Sequence, residues 1–204
     1  MSSLRTITLV SFILTCASIE LSASHILGGE ASYRFMNHND YKTTATYEIT
    51  FTIYREQDGI ELESMADFGV YEIDDIGHWL PYEVIENIPI STTNLLTESQ
   101  DNCGLQLLDN KELETGVYTF QVTLPIIDRK YKIAFQRCCR NHNINNIKDP
   151  GLTGVVFDVE ISDKAQKLGI NSPRFRALPP SYICANQDIN YGHDAIYDLS
   201  LIHI

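Results

Sequence analysis

Four cysteines are the residues of this chain whose spacing points most directly to chemistry. Cys138 and Cys139 are adjacent, while Cys103 precedes them and Cys184 follows. A bond between neighbouring cysteines would strain the intervening peptide bond, so we expect the adjacent pair to bond outward. Two connectivities are then open: Cys103 with Cys138 and Cys139 with Cys184, which we favour, or the crossed arrangement. Either closes loops of roughly 35 to 45 residues, worth about 4 kcal/mol of stability on the chain-entropy model.

The amino terminus indicates the compartment in which these cysteines would function. Arg5 precedes an apolar run over residues 7–19, and small residues follow at 22–24, the layout of a secretory signal peptide over residues 1–24. The run is short for a membrane span. An alternative is a lipoprotein in which Cys16 is lipidated, although Thr15 is a poor residue to precede it. In an oxidising compartment, four mature cysteines favour two disulfides over a metal site or a catalytic thiol.

The charge of the chain limits the class of partner. The 204 residues include 15 basic and 27 acidic side chains, a formal net charge of -12. Nucleic-acid binding requires a basic patch, so we expect no nucleic-acid partner. The composition suits a secreted or cell-surface protein that meets an extracellular protein or a glycan.

The elements that must position the cysteines are mainly strands. In residues 130–141, Tyr131, Ile133 and Phe135 share one face, the period of a half-buried strand. Residues 44–55 and 154–162 alternate in the same way, and helical periodicity is confined to a turn or two at 163–168. Residues 91–114 are irregular and predict a long loop that carries Cys103.

Seven or eight short strands separated by turns predict an all-β fold, an antiparallel immunoglobulin-like β-sandwich stapled by disulfides. The cysteine spacing of true immunoglobulin domains is missing, so this prediction depends on the strand pattern alone. A closed β-barrel is the alternative.

Prolines mark the predicted domain boundary. We assign residues 25–170 to the β-sandwich and 171–181, which contain Pro173, Pro179 and Pro180, to a linker. Residues 182–204 then read as the truncated start of a second β domain. The final DLSLIHI is untypical of a natural terminus and suggests a non-native tail.

Several short motifs together resemble a known module. They are HILGGE from His25, Tyr33, YEITFTIYR from Tyr47, QRCCRN from Gln136, INNI from Ile144, Pro150-Gly151, Asn171-Ser172-Pro173, Pro179-Pro180 and Ile183-Cys184. The chain resembles the N-terminal module of large, secreted, adhesin-like surface proteins of Bacteroidota. The double-cysteine stretch is the most specific part of this resemblance, which covers nearly all of the mature chain.

The resemblance implies the rest of a full-length protein. PKD-like or cadherin-like repeats would follow this module as partners in the same chain, and a gliding-motility-associated C-terminal domain would direct type IX secretion and surface anchoring. In such proteins an acidic, glycine-containing stretch that looks like a calcium loop follows the second-domain cysteine. Here residues 191–194 begin that stretch and residues 195–204 depart from it.

Acidic residues give a second candidate site. Asp74 and Asp75 are adjacent near Gly77, where paired carboxylates would serve a glycosidase, although a solvated turn is the ordinary interpretation. With Asp67 or Asp194 they would also supply oxygen ligands to Ca²⁺, the one cofactor we consider.

Catalytic residues are not predicted. The sequence has no GxSxG motif, and His25, His38, His78 and His142 lie in predicted loops or near the mature terminus. We therefore predict that the protein is not an enzyme, with a secreted hydrolase as an alternative.

Candidate partner-binding residues are Arg137, Arg140 and Trp79. The two arginines flank the adjacent cysteines, where they would bind an acidic partner or, more ordinarily, loop carbonyls and carboxylates. Trp79 would form an aromatic sugar platform with Tyr54, Tyr71 and Tyr82, or cover the edge of a core. We predict a non-enzymatic structural or interaction module, with a carbohydrate-binding module as the alternative.

Overall fold

The computed structural model describes residues 26–57, 59–96, 113–138, 140, 144–176, 186, 188 and 194–196. Within these residues there are nine strands, one α-helix and one 3₁₀ turn, Pro150–Leu152. The strands are β1 (Ile26–His38), β2 (Thr44–Glu56), β3 (Met65–Ile73), β4 (Trp79–Leu96), β5 (Leu113–Pro125), β6 (Lys130–Arg137), β7 (Val155–Ile161), β8 (Arg174–Phe175) and β9 (Ala195–Ile196), and the helix is α1 (Asp163–Leu168). No helix in this part of the chain is long and apolar enough to cross a membrane.

Seven of the strands form one antiparallel sheet in the order β1-β2-β5-β4-β3-β6-β7. The long strand β4 belongs to both halves of it, because Trp79–Pro89 pairs with β3 whereas Ile90–Leu96 pairs with β5. The two halves therefore face each other across the core, and the sheet is nearly closed into a barrel. The predicted all-β antiparallel fold is confirmed. Because the sheet nearly closes on itself, it also resembles the β-barrel that was predicted as the alternative.

The bend in β4 shows where the loop prediction for residues 91–114 is wrong. Residues 91–96 continue the strand, since they pair with β5 from Val117 to Leu113. Asn87 adopts a left-handed conformation (φ 58°) at the bend, and its N–H donates to Asp67 Oδ1 at 2.8 Å. Pro89 follows, and the N–H of Ile90 donates to Ser64 O at 2.9 Å. The proline marks the change of partner strand rather than the end of β4.

The core consists of the apolar faces predicted from alternation. Tyr47, Ile49, Phe51 and Ile53 of β2 are fully buried. The ring of Phe68 lies at the centre, 4.8 Å from the ring centroids of both Phe51 and Phe120, 5.6 Å from that of Phe135 and 5.7 Å from that of Tyr118.

Helix α1 forms at the predicted position and closes one end of the core. Ser162 caps its first turn by accepting the N–H of Ala165 at 3.1 Å, and Gly169 ends it with φ 69°. The buried side chain of Gln166 accepts the N–H of Ile127 at 3.0 Å and donates to Arg129 O at 2.8 Å. These bonds satisfy a buried amide and tie the helix to the segment between β5 and β6.

The outer edge of β1 lies near β7, at the seam of the sheet. A Cβ on Gly29 would lie 3.1 Å from the ring of Phe157 in β7. Further along β1, Asn171 Oδ1 accepts the N–H of Phe35 at 2.7 Å, and Ser172 bonds both backbone groups of Tyr33. The start of the predicted linker is thus fixed to β1, and the predicted domain boundaries themselves stay a prediction.

Candidate functional site

An aromatic pair lies on the outer face of the sheet half formed by β3, β4, β6 and β7. The ring centroids of Tyr71 and Trp79 are 5.3 Å apart at an angle of 53°. Tyr71 is opposite Lys132 in the β3–β6 register, and the Lys132 ammonium lies 4.7 Å from the Trp79 ring centroid. This is cation–π geometry, in which the negative face of the indole stabilises the positive charge.

Glycine permits the position of Tyr71. Gly69 lies two residues earlier on the same face of β3, and a Cβ there would be 2.6 Å from the Tyr71 hydroxyl oxygen. The ring therefore lies along the strand over Gly69. Its hydroxyl accepts the Gln136 Nε2–H at 3.2 Å, so both ends of the side chain are held. We call Tyr71, Trp79, Lys132, Gln136 and Asp158 the aromatic face.

Paired charges complete the aromatic face. Lys132 Nζ lies 2.8 Å from Asp158 Oδ1, so the ammonium contacts both a ring and a carboxylate. Two further pairs flank it, Arg129 with Glu72 at 2.9 Å and Lys130 with Glu160 at 2.8 Å. The hydrogen bond to Glu160 raises the pKa of Lys130. The surface thus combines two half-buried rings with fixed donors and acceptors.

The four aromatic side chains predicted as one platform do not all contribute. Tyr82 is 43% exposed, but its ring packs edge-on against the buried Tyr131 at 5.7 Å, and Tyr54 lies in β2 of the other half of the sheet. Tyr71 and Trp79 are the pair that the structure brings together. Sequence reasoning missed Lys132, Gln136 and Asp158 as their neighbours. The alternation in β6 exposes Lys132 and Gln136, but nothing local indicates that β6 lies beside β3.

The two arginines beside the cysteines make contacts within the protein. Arg137 forms an ion pair with Glu63. Arg140 Nε donates to Gly154 O at 3.2 Å, and the backbone N–H of Arg140 donates to Pro150 O at 3.1 Å and to Thr153 O at 3.0 Å. These are the carbonyl and carboxylate contacts of the ordinary interpretation, and a partner-binding role for either arginine stays a prediction.

Cys138 directly follows β6, and its disulfide bond stays a prediction. The other cysteines of the predicted framework, Cys103, Cys139 and Cys184, lie outside the described residues. The choice between the two connectivities therefore stays a prediction.

The acidic candidates are engaged by neighbouring groups. Asp74 Oδ1 accepts the N–H groups of Ile76 and His78 at 3.0 and 2.8 Å, and Oδ2 lies 3.1 Å from His78 Nδ1. The bond from the His78 N–H is the main reason that the Asp74 pKa is lowered. Asp194 pairs with Arg176 at 2.8 Å. Among the described residues no three His, Cys, Asp or Glu side chains are grouped as a metal site, so Asp74 and Asp75 gain no third ligand there.

Of the four histidines considered for catalysis, two are described. His38 Nε2 is 2.7 Å from Gln166 O, and His78 contacts Asp74. His25 and His142 lie outside the described residues. The contacts of His38 and His78 link neighbouring elements of the fold.

Comparison with protein-family models, curated proteins and solved structures finds no match for this chain.

Proposed function

We propose that this chain is a non-enzymatic interaction module of an exported, adhesin-like cell-surface protein, and that the aromatic face is its contact surface. The observation that carries the proposal is the stacking of Tyr71, Trp79 and Lys132 on the outside of the sheet. The hydrophobic core does not need this outer cluster, because the rings of Phe51, Phe68 and Phe120 already fill the interior of the sheet.

The chemistry of the aromatic face suits recognition. Tryptophan and tyrosine dominate the energetic centres of protein interfaces because they bury much area with few rotatable bonds. Here the ring of Tyr71 is held by Gly69 and Gln136 before any partner arrives. A fixed ring loses little conformational entropy on binding, which leaves more of the contact energy as affinity.

A carbohydrate-binding module is the second candidate function, and the surroundings of the two rings favour it. Sugar rings pack their C–H faces on aromatic rings and hydrogen-bond at their rims. Gln136, Asp158 and Lys132 lie at the rim of the Tyr71–Trp79 pair and offer amide, carboxylate and ammonium groups.

Export is supported by the cysteine chemistry. Four cysteines outside the predicted signal peptide favour disulfides, which persist in an oxidising environment, and the apolar run at residues 7–19 has the layout of a signal peptide. Amino-terminal sequencing of the secreted chain tests this part. A start near His25 is expected, whereas retention of residues 1–24 in the cytoplasm would contradict it.

Substitution of the rings tests the contact surface. The labelled, secreted chain is applied to immobilised glycans and to immobilised collagen and laminin. We expect binding that Trp79→Ala and Tyr71→Ala each reduce, while Tyr41→Ala, which removes a ring that is 87% exposed elsewhere, leaves it unchanged. Binding confined to glycans would select the carbohydrate-binding function, and binding that both ring variants retain would exclude the aromatic face.

A further inference from the structure

A cavity of about 400 Å³ lies over the outer face of β1 and β2. Its floor consists of two cross-strand pairs, Ser32 opposite Thr50 and Arg34 opposite Glu48. Pockets of a few hundred Å³ are the size that holds small ligands. The cavity shares no residue with the aromatic face.

One wall of the cavity is fixed to β1 by hydrogen bonds. Ser172 Oγ accepts the N–H of Tyr33 at 2.8 Å and donates to Tyr33 O at 3.2 Å, and Ser172 N donates to the same carbonyl at 3.1 Å. Asn171 Oδ1 accepts the N–H of Phe35 at 2.7 Å. Arg174 and Ile196, which pair between β8 and β9, complete the lining. The wall is therefore in place without a ligand.

The charges of the cavity contrast with those of the whole chain. Arg34 donates from Nε and Nη2 to Glu48 Oε1 at 3.2 and 2.9 Å. The guanidinium of Arg174 has no hydrogen-bond or ion-pair partner among the described residues. Two guanidinium groups and one carboxylate give the cavity an excess of one positive charge, on a chain of formal charge -12.

The hydroxyl groups of the floor are also available. Within the described part of the chain, the side-chain oxygens of Ser32 and Thr50 make no hydrogen bonds, and the two residues are neighbours across the β1–β2 pair. A ligand that satisfies this cavity carries one carboxylate for a guanidinium and several hydroxyls for the serine, the threonine and Glu48. Arginine binds a carboxylate through two parallel hydrogen bonds, which fixes its orientation as well as its charge.

We propose that this cavity binds a carboxylate-bearing sugar, an acidic monosaccharide unit of a glycan. Arg174 binds the carboxylate, and Ser32, Thr50 and Glu48 hydrogen-bond the hydroxyls. Because the aromatic face contributes nothing to this site, failure of that surface as a contact site would leave this inference untouched.

Calorimetric titration of the secreted full chain tests the site with three probes: glucuronic acid, glucose and acetate. We expect glucuronic acid to bind at least about tenfold more tightly than either of the others, since each of them lacks either the charged group or the hydroxyls. Equal affinity for glucose, equal affinity for acetate, or no binding of glucuronic acid would each overturn the proposal.

Three variants assign the site to its residues. Arg174→Gln removes the positive charge that pairs with the carboxylate. We expect this variant to bind glucuronic acid at least about tenfold more weakly than the wild type. Thr50→Val keeps the shape of the strand and removes one hydroxyl, so a smaller loss is expected. Lys167→Gln removes a positive charge on α1, outside the lining, and serves as the control. Wild-type affinity in Arg174→Gln, or the same loss in Lys167→Gln, would contradict the assignment. Arg174 is exposed, so its substitution leaves the core intact.

Discussion

Ser172 occupies the outer edge of β1 at Tyr33 as a neighbouring strand would. Its hydroxyl accepts the Tyr33 N–H at 2.8 Å, and both its hydroxyl and its backbone N–H donate to the Tyr33 carbonyl, at 3.2 and 3.1 Å. An open strand edge is a template for pairing with other chains, and covering it prevents that association. This contact covers part of the β1 edge near β7 and forms part of the wall of the cavity over β1 and β2.

Ser172→Ala is therefore expected to destabilise the fold by about 1 to 2 kcal/mol, because the Tyr33 N–H loses its acceptor in a partly buried setting. The midpoint of urea unfolding measures the change. Ser64→Ala is the matched control, since Ser64 is exposed and its side chain makes no hydrogen bond among the described residues. An equal midpoint for the two variants would show that the edge contact contributes little.

Gly69→Ala tests whether the Tyr71 ring must lie over the strand. The new Cβ would be 2.6 Å from the Tyr71 hydroxyl, so the ring has to move away, while the exposed end of a side chain yields at little cost to stability. Trp79 is the single tryptophan, so its fluorescence reports the change directly. We expect a shifted emission spectrum and weaker ligand binding with an unfolding free energy changed by about 1 kcal/mol or less.

Gly28→Ala is the control for this substitution, because a Cβ there meets Tyr54 at an ordinary 3.7 Å. An unchanged tryptophan spectrum in Gly69→Ala would contradict the account of the aromatic face.

The core depends most on Phe68, which contacts four other rings. Phe68→Ala is expected to lower the free energy of unfolding by about 3 to 5 kcal/mol, because the surrounding strands are unable to close the void that the removed ring leaves. Val84→Ala, at a side chain that is 58% exposed, should cost less than about 1 kcal/mol. Denaturant unfolding followed by circular dichroism compares them, and similar losses would place the core elsewhere.

Alkaline pH should destabilise the protein through its buried tyrosines. Burial, with a smaller effect of Glu160, raises the pKa of Tyr33 to about 12 from an ordinary value of 10.0. Burial likewise raises the pKa of Tyr118 to about 12. The folded state favours the neutral phenol, so this contribution is complete below pH 10 and is lost as the pH rises from 10 towards 12.

Thermal unfolding at a series of pH values, with tyrosinate absorbance as a second readout, measures this dependence. Tyr33→Phe removes one of the buried phenols and should flatten the decline, whereas Tyr41→Phe at an exposed site should leave it unchanged. A wild-type protein whose stability is constant between pH 10 and 12 would contradict the prediction.

The sequence was sufficient for features that depend on local alternation. The buried face of β2, the strand β6 and the short helix α1 all follow from residue periodicity. The course of β4 was beyond such reasoning, because Ile90–Leu96 becomes a strand by pairing with β5, whose paired residues lie 17 to 28 positions later. Local pattern does not indicate which distant strand becomes a neighbour.

The same limit applies to the candidate sites. Trp79 was predicted as a surface aromatic side chain, but its contact with Lys132 depends on β3 lying between β4 and β6. The cavity joins β1 to residues about 140 positions later, and only the folded chain brings Ser172 to Tyr33. Side chains that meet across such separations carry no shared signal in the sequence.

Loss of binding in Trp79→Ala is the most direct test of the central claim that the aromatic face is the contact surface. The labelled wild-type chain, Trp79→Ala and Tyr41→Ala are compared on the immobilised glycans, collagen and laminin. The account predicts at least one bound ligand, with affinity reduced about tenfold or more in Trp79→Ala and unchanged in Tyr41→Ala. Equal binding by Trp79→Ala and the wild type would contradict it, as would no binding to any of these surfaces.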